Sequence, residues 1–154
     1  KACLLALYNQ KNEEEVKLGE EKVVVIDPPK PDLMVKVNGV PYSPEMGVHR
    51  GSKVMITIIP DLDFENALPK EAKYGIDEVS IYKGRSKVGG HGIYMSKNTA
   101  QKGMEIPIPT ECFVRSGDKI YIELRNIYRF SSSGASVIDN RFSIQERTIT
   151  LTSI

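Results

Sequence analysis

The hydrophobic pattern is strongest over residues 117–130, GDKIYIELRNIYRF. After the Ser116-Gly117-Asp118 turn signal, Ile120, Ile122 and Leu124 alternate with Tyr121, Glu123 and Arg125. Strict alternation places the first three on one face of a strand and the second three on the other. At Asn126 the phase slips, because Ile127 is apolar where a polar residue is due. One extra residue in a strand is the pattern of a β-bulge. A bulge here would let Ile120, Ile122 and Leu124 serve the core and turn Tyr128 and Arg129 toward a second surface.

The rest of the chain reads mainly as short strands between turns. Residues 2–8 are mostly apolar and residues 22–26 are β-branched, with a polar stretch at 9–15 between them as a loop or hairpin tip. Residues 33–37 alternate into Asn38-Gly39, a pair that tolerates positive φ and favours a two-residue hairpin. Pro41 and Pro44 then keep the return strand short or at an edge. Residues 53–59 form a stronger strand that stops at Pro60. Residues 61–74 hold the helical signals: Asp63 as cap to a short turn with Phe64, Ala67 and Leu68, then Pro69 opening one further turn with Glu71 and Ala72. Residues 76–82 resume β character. Residues 83–92 carry four glycines in ten positions and read as a mobile loop or a distorted hairpin. Residues 103–113 give two strand-like pieces split by Pro107 and Pro109. The serines of 131–136 suit a flexible tip. Residues 147–154 close the chain as an alternating strand with Ile149 and Leu151 inward.

Turns every 10–15 residues and little helix predict an all-β chain with a minor short helix, an antiparallel β-sandwich of immunoglobulin-like or related type. There is no Trp, so an antibody-type Cys-Trp-Cys core is not expected. Three prolines in the four positions 28–31 break the pattern most sharply, since they cannot donate ladder bonds and favour stiff extended backbone. They divide the chain into residues 1–27, the last strands of a preceding β domain, and residues 28–154, a complete β-sandwich. The opening KACLLALYNQ already reads as mid-domain strand, so a longer chain with any signal or anchor upstream is expected.

Composition narrows the function classes. At 154 residues with 40% hydrophobic and 27% charged residues, the chain can bury a core. Its 21 basic and 20 acidic residues give +1, which argues against a large non-specific nucleic-acid footprint. Local patches stay open. Cys3 and Cys112 are too few for a disulfide scaffold; buried free thiols are the default, and a bridge between them in an oxidising compartment is the alternative.

Candidate chemistry is thin. The 83–91 stretch offers Lys83, Arg85 and Lys87 with bare glycine backbone, the ingredients of an anion site. It lacks the GxxxxGK[ST] spacing and no helix follows, so a solvated loop is expected. His49 and His91 have no Cys pair or HExxH pattern beside them, and no metal site is expected. There is no GxSxG elbow, and Cys112 has no neighbour that would lower its pKa. No catalytic residue and no cofactor is therefore assigned, and the chain is not read as an enzyme. Exposed Tyr beside Arg or Lys is interface chemistry. On that ground Tyr82, Arg85, Lys87, Tyr128 and Arg129 form a candidate interaction surface, against the alternative that the tyrosines only cover a sheet face.

Several stretches in order carry a family resemblance. Residues 60–64 (PDLDF), 67–74 (ALPKEAKY) and 79–85 (VSIYKGR) are similar to the last periplasmic domain of the GldM/PorM family. Gly117-Asp118-Lys119-Ile120-Tyr121-Ile122-Glu123, with Arg129-Phe130 after it, resembles that family's "GD.I.IE" strand. The proline run after residues 22–26 resembles its junction between the last two domains. The similarity spans about residues 20–154. Two departures are visible: Asp77-Glu78-Val79 lacks the Trp often found there, and Phe130-Ser131-Ser132-Ser133-Gly134 replaces an Asn-Phe-Arg-Gly loop.

The resemblance implies a non-enzymatic, homodimeric stalk protein of Bacteroidetes, anchored in the inner membrane upstream of this sequence. Its membrane-distal periplasmic domain would contact ring subunits near the outer membrane and pass on movement in type IX secretion or gliding motility. The alternative from composition alone is a stand-alone immunoglobulin-like module for adhesion or carbohydrate binding.

Overall fold

The computed structural model describes residues 2–7, 19–24, 27–91 and 102–154. Strands β1 (Ala2–Leu7) and β2 (Gly19–Val24) pair antiparallel with each other as a separate two-stranded sheet. The expected polar tip at 9–15 lies outside the described residues.

Two further sheets build the body. The smaller contains β3 (Asp32–Val37), β4 (Val40–Pro41), β6 (Val54–Ile59) and β9 (Met104–Ile106), in the order β4-β3-β6-β9. The larger contains β5 (Met46–Val48), β7 (Lys73–Lys83), β8 (Ser86–His91), β10 (Lys119–Phe130), β11 (Ser136–Ile138) and β12 (Thr148–Ser153). Its path runs β5-β12-β10-β7-β8, with β11 also pairing β10. The all-β sandwich expected from the pattern is present among the described residues, with a short helix, α1 (Leu62–Ala67), beside it. One detail differs from a purely antiparallel scheme: β5 runs parallel to β12. Three residues with a glycine at the centre are too short to announce a strand in the sequence.

The core lies between the two sheets. Val37, Val54, Ile56, Ile58 and Ile106 from the smaller sheet meet Ile81, Ile120, Ile122, Leu124, Ile127 and Leu151 from the larger, all essentially without solvent exposure. Burying a side chain of this size stabilises by about 1.5–3 kcal/mol. The alternation read from 117–130 and 147–154 is the alternation that packs.

At Asn38-Gly39 both residues take positive φ, 51° and 78°, and the return strand β4 consists of Val40 and Pro41 alone. Asn38 Oδ1 accepts from Lys53 N at 2.9 Å and ties this turn to the entry of β6. The helix is capped by Asp61, not Asp63: Asp61 Oδ2 accepts from Phe64 N at 3.0 Å. Asp61 is the residue just outside the first turn, where a side-chain oxygen reaches the free N–H groups. Residues 110–113, expected to be strand, form a 3-10 turn with Cys112 N donating to Pro109 O. Pro107 and Pro109 have no N–H to offer a ladder. Cys112 is a free, buried thiol, and burial raises its pKa. With Cys112 free, the alternative of a Cys3–Cys112 bridge is not realised; the Cys3 side chain itself lies outside the described residues.

The glycine-rich stretch is a distorted hairpin. Tyr82 pairs with Lys87 while Ile81 pairs with Gly89, so Val88 is the extra residue of a bulge on β8. A Cβ on Gly89 would stand 2.7 Å from Pro109 Cγ, so the close approach of the 107–110 connection requires glycine there.

The bulge expected at Asn126 takes another form. β10 is one strand, and its register with β7 is unbroken from Ile120↔Lys83 through Leu124↔Val79 to Ile127↔Ile76 and Phe130↔Lys73. The register survives because β7 slips at the same place. Ile76 and Val79 are buried with Asp77 and Glu78 between them, opposite Arg125 and Asn126. Asn126 absorbs the slip with φ of 49° and donates to Asp77 Oδ2 at 3.2 Å. Two matched irregularities replace one bulge.

Asn tolerates this left-handed backbone better than other residues with a side chain, and a β-branched residue tolerates it worst. Asn126→Val is expected to lower stability by about 1–3 kcal/mol, while Asn126→Gly stays close to wild type. Urea unfolding midpoints check this; equal midpoints for Val and Gly would remove the claim that backbone strain governs the site.

Candidate interaction surfaces

β10 carries the geometry from one end of the sandwich to the other, about 36 Å at strand rise. Lys119 lies at one end, beside the β7–β8 turn, and Phe130 lies at the other, beside the start of β7. The five residues singled out from the sequence therefore do not form one patch.

Tyr82, Arg85 and Lys87 share the Lys119 end. Tyr82 stands directly across from Tyr121 on one side and from Lys87 on the other. Arg85 is exposed at the turn between β7 and β8. Lys87 Nζ is 3.2 Å from Glu78 Oε1, and Arg125 reaches the other oxygen of Glu78 at 3.0 Å. The Lys87 hydrogen bond leads the effects that lower the Glu78 pKa. An open cleft of about 680 Å³ lies at this end, lined by Lys83, Arg85, Asp118, Lys119 and Tyr121 among others.

Tyr128 and Arg129 lie at the far end. Tyr128 meets the Phe130 ring edge-on at 5.0 Å. Arg129 is mostly buried and is spent internally: its Nη1 donates to Glu71 Oε2 at 2.7 Å and to Glu71 O at 3.2 Å. Glu71 Oε1 accepts from Ser132 Oγ at 2.6 Å and from Ser132 N at 3.2 Å. These Ser132 bonds, then Arg129, hold the Glu71 carboxyl below its ordinary pKa. The serine tip is thus a hydrogen-bonded turn, closed by Ser131 N donating to Ala135 O. Three serines beside a glycine suggest flexibility only until their long-range acceptor is known.

The same end holds a feature the sequence reading did not assign: the proline junction is fastened to the sandwich. Arg141 Nη1 donates to Pro28 O at 2.6 Å, while its Nε and Nη2 fork onto Asp139 at 2.8 and 2.7 Å. Asp139 is 7% exposed, and the Arg141 hydrogen bond holds its pKa low. Two residues along, Lys30 Nζ pairs with Glu146 and lies 4.7 Å from the centre of the Phe142 ring. Glu146 also accepts from Ser143 N at 3.2 Å. A bidentate arginine, a lysine ion pair and a cation–π contact together fix the exit angle of a backbone that proline already stiffens. The Asp139-x-Arg141 spacing was visible in the sequence, but its acceptor lies 113 residues away.

Comparison with family models, curated proteins and solved structures gave no match. The reading of the two ends rests on their own geometry.

Asp139, Glu146 and Glu71 have folded pKa values below their unfolded ones, so the stability they contribute is present at neutral pH and lost as pH falls through the folded values. Arg141→Ala strips Asp139 of its partner and frees the Pro28 carbonyl. It is expected to cost about 1.5–3 kcal/mol at neutral pH. It should also flatten the loss of stability on acidification below about pH 4. Unfolding midpoints across that range check it; an unchanged acid limb would deny Asp139 its role.

Proposed function

We propose that the chain is the membrane-distal part of a periplasmic stalk of the GldM/PorM type, a homodimer that passes movement from an inner-membrane motor to ring subunits associated with the outer membrane. It acts through protein contacts and not through catalysis. The resemblance in ordered segments supplies the machinery. The observation that carries the mechanical part is the fastened junction. A domain that only displays a ligand site can hang on a loose linker. A domain that transmits a displacement needs its linker fixed to the body, because a free swivel dissipates the motion. Here Pro28 and Lys30 are held by Arg141, Glu146 and Phe142. From that end the paired strands β7 and β10 run the length of the larger sheet to the opposite tip.

In cells that carry the full-length protein, Lys30→Ala with Arg141→Ala is expected to abolish or strongly reduce secretion or gliding at unchanged protein abundance. The dimer and its capture of ring subunits should persist. Normal movement and secretion by the double variant would remove the transmission role. A strictly monomeric full-length protein in sedimentation, with no ring subunit captured, would remove the stalk assignment itself.

A further inference from the structure

The near-neutral total charge is made of mixed clusters at the two ends of the sandwich. At the junction end, Asp61, Asp63 and Glu65 at the start of α1 share the surface with Lys30, Lys73, Arg129 and Arg141. At the opposite tip, the β7–β8 turn, the residue before β6 and the turn before β10 bring Lys53, Lys83, Arg85, Arg115 and Lys119 to one end, interleaved with Glu45, Glu111 and Asp118. The acidic members are partly answered from within: Lys83 lies 3.5 Å from Asp118, and Lys119 lies 2.9 Å from Glu45 and bonds Thr152 Oγ1. Arg85 and Arg115 are exposed and have no ion-pair partner among the described residues. Tyr82 and Tyr121 stand side by side on the adjoining sheet face, with Tyr121 also lining the cleft.

We propose that this tip, the end remote from the junction, is a docking surface for an acidic segment of a partner protein, with Arg85 and Arg115 as its carboxylate-binding residues. This rests on the stalk reading, in which the end away from the linker is the end that meets the next component. Arginine presents a planar fork that matches a carboxylate in two parallel hydrogen bonds. Tyrosine adds contact area with little side-chain entropy to lose, and Tyr and Arg are the residue types that dominate interface energetics. The interleaved Glu45, Glu111 and Asp118 decide between classes of acidic partner. A phosphate backbone or a lipid surface presents an unbroken negative front and would meet these carboxylates head on. A protein segment can place its carboxylates at the two free arginines and neutral or basic groups between them.

The probe is a fluorescein-labelled octaglutamate peptide, titrated with the whole chain and read by anisotropy. Binding is expected at about 0.05 M salt and should weaken several-fold by about 0.2 M, because salt screens charges exposed to solvent. Arg85→Ser with Arg115→Ser should weaken binding about tenfold, in line with losing two exposed charge-assisted contacts. Lys70→Ser with Lys73→Ser, at the other end, should leave it unchanged. The proposal is overturned if the arginine variant binds like wild type or if the lysine variant loses binding equally. Stronger binding to phosphatidylserine vesicles or to oligothymidine would also overturn it. Failure here leaves the junction test intact, because the tip variants alter neither Arg141 nor Lys30.

Discussion

The pairing of β10 is the constraint from which the rest of the structure follows. β7 lies against one edge of this strand along nearly its whole length. The other edge is shared, first by β12 and then, past the slip, by β11. A strand paired on both sides cannot drift in register without moving three others, and a one-residue drift would turn Ile120, Ile122 and Leu124 from core to solvent. The position of the β7–β8 turn, the location of Arg129 beside Glu71 and the point where β12 gives way to β11 are all set by that strand. The slip at Asn126 is tolerable only because β7 carries the same slip opposite it. Had one strand alone carried an extra residue, every pair beyond it would have shifted by one, and Arg129 would no longer face Tyr74 across the ladder.

The chain spends its charges unevenly, and the spending separates two kinds of work. At the junction end, arginine and glutamate are consumed inside the molecule. Arg129 bonds Glu71 and Arg141 bonds Asp139, the arginines also reach backbone carbonyls, and Glu71 accepts from Ser132. Such groups order the loop at 131–134 and the linker at 28–31, and they have little left to offer a partner. At the tip Lys83 and Lys119 are paired locally while Arg85 and Arg115 face solvent. Exposed single ion pairs contribute little stability, so the tip charges add little to the fold.

Much of the fold was legible because it obeys local rules. Alternation located β3, β10 and β12, Asn38-Gly39 located a hairpin with two positive φ angles, and the apolar run of 53–59 with Pro60 located β6 and its end. What escaped was non-local or short. β5 and β11 have three residues each and exist because β12 and β10 offer them an edge. Residues 110–113 are apolar enough for a strand, but prolines on their approach deny them a ladder. The Asn126 slip was visible, yet its partner slip at Asp77-Glu78 was not, since matching them requires knowing that β7 lies opposite β10. The candidate site divided for the same reason. Tyr82, Arg85 and Lys87 resemble Tyr128 and Arg129 in composition, and only the antiparallel register puts them at opposite ends of one strand.

That register also bears on how a displacement would travel. The junction is fastened through Arg141, and Arg141 reaches β10 through Asp139, whose N–H donates to Ile127 O just beyond the slip. The hydrogen bond from Arg141 to Pro28 O thus adds a link from the linker to β10 at Ile127, beside the covalent path into β3. From there two ladders lead to the tip, β7 on one side and β12 on the other. Backbone hydrogen bonds loaded in shear across several registered pairs resist together, whereas a single edge pair would peel one bond at a time. The left-handed Asn126, with its bond to Asp77, sits one residue before that attachment. A matched irregularity there keeps both strands in phase beyond the point of attachment, which a one-sided bulge would not do.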